Sequence, residues 1–137
     1  MAKSRKTWVY SPPKPPGPKV PAGTKAEAQQ KADQLVETIL KPQHLKPPPK
    51  NDDFNYIVDI YTKWYRHYFY FCAKYCSPGP YALSPDFETK FARLEYVEGN
   101  RFNLSYMRYT GEWIEVYPNL SLDQCLATMK DNPLFFP

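Results

Sequence analysis

Between Asn55 and Tyr117 apolar and polar residues alternate with a period of two, the pattern of half-buried β-strands. The first two runs, Asn55–Tyr65 and Tyr68–Tyr75, flank Arg66-His67. A two-residue turn there pairs Trp64 with Phe69, Thr62 with Phe71, Ile60 with Ala73 and Val58 with Tyr75 on one face. On the other face it sets Asp59 opposite Lys74 and Lys63 opposite Tyr70. A register that is right must sort both faces at once, and this one does. Ser77-Pro78-Gly79-Pro80 then breaks the sheet, and a loop runs on through Ser84-Pro85-Asp86. Strand three, Thr89–Val97, and strand four, Arg101–Arg108, flank Glu98-Gly99-Asn100; a three-residue loop pairs Leu94 with Leu104 and Tyr96 with Phe102. Tyr109-Thr110-Gly111 makes a second such loop, with Gly111 free to turn left-handed, and pairs Tyr106 with Ile114 and Leu104 with Val116.

On either side of the strands the period becomes helical. Ala28, Ala32, Leu35, Val36 and Ile39 fall on one face of a helix over residues 24–41. Thr24 and Glu27 have capping-box spacing at its start, and Lys41-Pro42 marks its end. Pro42–Lys50, with its proline triplet, reads as a stiff connector. A second helix over 121–131 opens on Ser121 and Gln124, also a capping box, and carries Leu122, Cys125, Leu126 and Met129 as its apolar stripe. Asn132-Pro133 stops it, and Leu134-Phe135-Phe136 is expected to fold back on the core. The fold expected is α+β: a five-stranded antiparallel meander over 55–117 with an N-terminal and a C-terminal helix on one face, in a single domain of residues 24–137.

With Val58, Ile60, Phe69, Phe71, Leu94, Leu104, Ile114 and Val116 turned to the helices, the opposite face carries Tyr61, Lys63, Tyr65, Tyr68, Tyr70, Lys74, Arg93, Trp113 and Tyr117, with Ser105, Met107 and Glu115 among them. Cys72 falls on that face too. Aromatic rings interleaved with cations can stack bases and meet phosphates, as in sheet proteins that bind single-stranded nucleic acid. The same composition suits a protein contact, with a partner or a second copy, and it also suits a plain solvated strand surface.

Charge separates the chain into two parts. Residues 1–50 hold ten Lys/Arg against three Asp/Glu and ten of the 16 prolines, whereas residues 51–137 hold eight against eleven. The net +4 therefore belongs to a basic, proline-rich arm over residues 1–23, expected to be polyproline II or disordered. Such an arm serves as a spacer, as a ligand for proline-recognising domains, or as a cationic tail. The body itself is mildly acidic, which opposes a polyanion.

Little in the chain points to chemistry. Two histidines, His44 and His67, and three cysteines cannot assemble a tetrahedral zinc set from Cys72-x3-Cys76, whose strand spacing is also poor for a disulfide. Five glycines include no phosphate-cradling motif. Cys72 reaches the His67 turn only across a long gap, and Asp52-Asp53, Asp86, Glu88, Glu112 and Glu115 show no paired-carboxylate arrangement. The expectation is a non-enzymatic protein with no cofactor and no metal. An odd cysteine count, the absence of an apolar run behind the basic N-terminus and the absence of a spanning segment point to free thiols, to the cytoplasm and away from the membrane.

Three stretches carry a resemblance: Phe91-Ala92-Arg93-Leu94-Glu95-Tyr96-Val97, Phe102-Asn103-Leu104-Ser105-Tyr106-Met107-Arg108 and Gly111-Glu112-Trp113-Ile114-Glu115-Val116-Tyr117. Together with the proline-containing entry Leu40-Lys41-Pro42-Gln43-His44, the hairpin and the proline-bearing loop, they resemble a family of small uncharacterised bacterial proteins, domain of unknown function 3024, over roughly residues 40–117. The C-terminal helix is longer than that pattern. The resemblance implies a bacterial source and no known activity, and it transfers no functional residues. Function is thus left between a protein-contacting or self-associating domain and, as the alternative, a single-stranded nucleic-acid binder using the same face and the basic arm.

Overall fold

The computed structural model describes residues 18–48, 54–79, 82 and 84–137. The arm up to residue 17, the end of the connector and part of the loop after Ser77 lie outside the described residues. Helix α1 spans Ala22–Leu35, continues through a π turn at Val36–Leu40 and ends in a last turn at Lys41–His44. Five strands follow: β1 Tyr56–Tyr65, β2 Tyr68–Cys76, β3 Asp86–Val97, β4 Arg101–Met107 and β5 Trp113–Ser121. Helix α2, Leu122–Asp131, and a 3-10 turn, Pro133–Phe135, close the chain. The strands form one antiparallel sheet in chain order. Among the described residues no helix is long and apolar enough to cross a membrane.

Both ends of α1 depart from expectation. The helix starts at Ala22 behind Pro21, with no side-chain cap, so Thr24 and Glu27 form no capping box. Val20 is buried against the core and draws the chain onto the body before the helix begins, while the Thr24 hydroxyl donates to Asn100 Oδ1 at 2.9 Å. Pro42 does not end the helix. A π turn lengthens the hydrogen-bonded loop by one residue, and Pro42 then sits at the start of the last turn, where no N–H donor is needed. That extra residue also rotates the buried stripe. Ala28, Ala32, Val36 and Leu40 are buried at intervals of four, and Ile39 is only half-buried.

The hairpin registers are those that the alternation predicts: Trp64 faces Phe69, Ile60 faces Ala73, Leu94 faces Leu104 and Tyr106 faces Ile114. Gly99 and Gly111 turn their loops at φ 78 and φ 89. Four bulges, two of them in β5, interrupt the pattern. In β1, Ile57 takes the place opposite Tyr75, which leaves Val58 as the extra residue, 42% exposed and outside the core. In β3, Ala92 faces Phe71 and Lys90 faces Cys72, so Phe91 is extra and both Phe91 and Ala92 are buried. In β5, Tyr117 instead of Val116 faces Leu104.

One core lies between the sheet and the helices, with Phe69, Phe71, Phe102, Leu94 and Leu104 from the strands, Leu40 from the end of α1, and Cys125 and Met129 from α2. Ser121 caps α2 through a complete capping box with Gln124, as expected. The Thr62 hydroxyl donates to Asp33 at 2.8 Å and accepts from Gln29 at 2.6 Å, tying β1 to α1. Phe135 is fully buried against Tyr106 and Tyr117, so the C-terminal tail folds back as its apolar residues predict.

Candidate binding face of the sheet

Because both helices cover the same side, the other side of the sheet is left open among the described residues, and the strand periodicity dictates what stands on it. The rows across the strands are Tyr65, Tyr68, Glu95 and Asn103; Lys63, Tyr70, Arg93, Ser105 and Glu115; and Tyr61, Cys72 and Lys90. Lys74 and Glu88 make the next row. Of the residues expected here, only Tyr117 is elsewhere. A bulge in β5 turns it to the helix side, where its ring lies 6.3 Å from Phe135.

At the centre, Arg93 is held between two rings. Its guanidinium carbon is 4.6 Å from the ring centroid of Tyr68 and 4.8 Å from that of Trp113. Tyr70 continues the stack, 5.8 Å from Trp113 and 6.0 Å from Tyr68, and Lys90 lies over it at 5.7 Å. Tyr68 also packs on His67 at 4.1 Å, and His67 Nε2 is 3.4 Å from Glu95. Ser105 lets this arrangement close. Between Arg93 and Glu115 in register, it is 1% exposed on a face that no helix among the described residues covers, so its larger neighbours roof it. Arg93 Nε is buried there without a hydrogen-bond partner among the described residues, lying against ring faces.

Toward β1 a second cluster forms around Glu88. Its carboxylate accepts from Lys63 at 2.8 Å, from the Tyr61 hydroxyl and from Lys90 at 3.3 Å. Lys63 and then Tyr61 hold the Glu88 carboxyl down to about 2, against an opposing contribution from burial. Burial, followed by its hydrogen bond to Glu88, pushes the Tyr61 hydroxyl well up. Cys72 lies beneath this cluster, fully buried, its thiol pushed up to about 11 mainly by desolvation. A thiol in that setting stays protonated and is a poor nucleophile. Between the two clusters, Lys63, Trp64, Tyr65, Tyr70 and Lys90 line a shallow depression of about 400 Å³.

Sequence reasoning missed Glu88 and Lys90. The run Lys90-Phe91-Ala92-Arg93 has two apolar residues between two cations, a break in the period of two that signals the bulge. Recognising that break adds one residue to the count and turns Lys90 and Glu88 onto the open face. The two clusters leave few free charges. Lys63 and Lys90 share Glu88, Lys74 is 3.8 Å from Asp86, and Asp59 is 3.3 Å from Lys41. Among the described residues, no group of three His, Cys, Asp or Glu side chains could hold a metal ion.

The family model for a domain of unknown function, DUF3024, matches residues 20–137. The chain belongs to the DUF3024 family. The match takes in α1, the whole sheet, α2 and the tail, whereas the strand resemblance reached only residues 40–117. The DUF3024 unit is therefore the sheet together with both helices that cover it. Comparison with curated proteins and with solved structures finds no match.

Proposed function

We propose that this DUF3024 chain is a non-catalytic interaction domain of the bacterial cytoplasm whose open sheet face contacts protein. The observation that carries the reading is the Tyr68–Arg93–Trp113 stack, a preformed patch of the three residue types that dominate binding energy at protein interfaces. The rings and the guanidinium already hold one another, so little side-chain entropy is lost when a partner covers them. Three unpaired cysteines accord with a reducing compartment, and the family resemblance with a bacterial source.

Nucleic-acid binding on the same face is less favoured, for a specific reason. The lysines that would meet phosphates, Lys63, Lys74 and Lys90, are each engaged by a carboxylate, and the ring faces that would stack bases are occupied by Arg93 and Lys90.

A photo-crosslinking residue placed at Tyr65, 57% exposed at the rim of the face, and separately at Lys130 on α2, tests the reading in cells. Protein adducts from position 65 in clear excess over position 130 are expected. Equal adducts from both positions, or RNA or DNA adducts from position 65, would overturn it.

A further inference from the structure

Among the described residues, the open face sorts its own charges except for three, Arg93, Glu115 and, at the start of β4, Arg101. Glu88 serves Lys63 and Lys90, Asp86 serves Lys74, Glu95 lies by His67, and Asp59 lies by Lys41. Arg93 and Glu115 have no ion-pair partner among the described residues. They carry opposite charge and flank the same residue, Ser105, in the same row of the sheet. Adjacent strands are ~4.8 Å apart, so the two stand roughly 10 Å apart on either side of β4.

That placement is self-complementary. A two-fold axis lying along β4 over Ser105 exchanges the left and right sides of a face laid on its copy. Arg93 of one copy then meets Glu115 of the other, and the reverse contact forms at the same time. We propose, resting on the reading of the open face as a protein contact, that its occupant is a second copy of this chain, packed face to face in an isologous dimer centred on Ser105. Five strands ~4.8 Å apart and about 20 Å long present roughly 500 Å² in projection, and more once side-chain relief is counted. This is of the order of the ~800 Å² per partner of a stable interface. The stack of Tyr68, Arg93 and Trp113 lies inside that area and supplies its desolvated centre, while Lys63 and Lys90 enter already paired with Glu88.

Sedimentation velocity on the full-length chain over a wide concentration range tests this, with Arg93→Glu, Glu115→Arg, the two combined in one chain, and the two single variants mixed. Wild type is expected to dimerise. Each single variant sets like charges against each other and weakens the dimer at least about tenfold. The combined variant, and the equimolar mixture of singles, restore it, because opposite charges meet again. Glu115 is exposed and has no ion-pair partner among the described residues, so Glu115→Arg leaves the fold intact even if Arg93→Glu disturbs the ring stack. A wild-type chain that is monomeric throughout, or a dimer that Glu115→Arg leaves unchanged, overturns the inference. In either case, adducts to other proteins from position 65 would leave the open-face reading standing with a different occupant.

Discussion

Replacing Phe135 by alanine tests whether the last residues belong to the domain. Phe135 has no exposed surface; its ring meets Tyr106 edge-on at 6.2 Å and 90°, and Tyr117 at 6.3 Å. A buried Phe removes ~150–250 Å² of surface from water, which at ~25 cal/mol per Å² is about 4–6 kcal/mol, and measured Phe→Ala losses in cores run about 3–5 kcal/mol. We expect a loss of about 3–4 kcal/mol, a large part of the ~5–15 kcal/mol that holds a domain of this size together. Leu134, the preceding residue, is 48% exposed, and Leu134→Ala should cost less than about 1 kcal/mol. Urea unfolding followed by tryptophan fluorescence reads both variants, because Trp64 packs on Phe69 at 4.7 Å and Trp113 stands in the ring stack on the other side. A lowered midpoint at an unchanged denaturant slope is the expected form. A Phe135→Ala loss under about 1 kcal/mol, or one equal to that of Leu134→Ala, would refute the packing of the tail.

Glu88 couples stability to acid. Its carboxyl is held from 4.5 down to about 2, so the folded state keeps the charged form; the stabilisation is complete above pH 4.5 and fades as pH falls toward 2. The group is partly exposed and water screens it, so about 1 kcal/mol is expected, and wild type minus Glu88→Gln stability measured at pH 7 and near pH 2.5 should shrink by that amount. Thiol titration should find one fast cysteine, Cys76, which is half-buried; Cys72 and Cys125 are buried, with thiols pushed up to about 11 and about 12, and should react only on unfolding. Gly111→Ala and Gly23→Ala should act in opposite directions, although neither new methyl meets an atom within 4 Å. Gly111 has φ 89 and alanine there costs roughly 1 kcal/mol, whereas Gly23 is inside α1 and alanine adds roughly 0.5–1 kcal/mol, both measurable by thermal unfolding.

The meander was legible because a half-buried strand must alternate, and both faces of each hairpin had to agree on one register. What escaped were the places where two neighbours of like polarity stand together, as Phe91-Ala92 and Val116-Tyr117 do. There the chain inserts a residue, and everything beyond it changes sides, which is why Glu88 and Lys90 were missed and Tyr117 was misplaced. The ends of α1 were misread for a different reason. Thr24 and Pro42 carry strong local signals, yet burial of Val20 sets the start, and a π turn lets the helix pass through the proline. Composition of the open face could be read from the alternation. Its central contact could not, because Tyr68, Arg93 and Trp113 come from three strands and meet only through the register and a small residue at Ser105.

The two outer strands have a consequence for how such a sheet can assemble. An unbroken edge offers a ladder of free N–H and C=O groups, and identical edges then join into open-ended ribbons. Here β1 is kinked at Val58 and its Thr62 side chain is held by α1. In β5, Pro118 has no N–H to give, and the Asn119 amide at φ 60 is already spent on Asn103 Oδ1 at 2.9 Å. Lateral growth is obstructed on both flanks, so the proposed face-to-face pair would stay closed, and a chain this rich in tyrosine and phenylalanine has a structural defence against fibre formation.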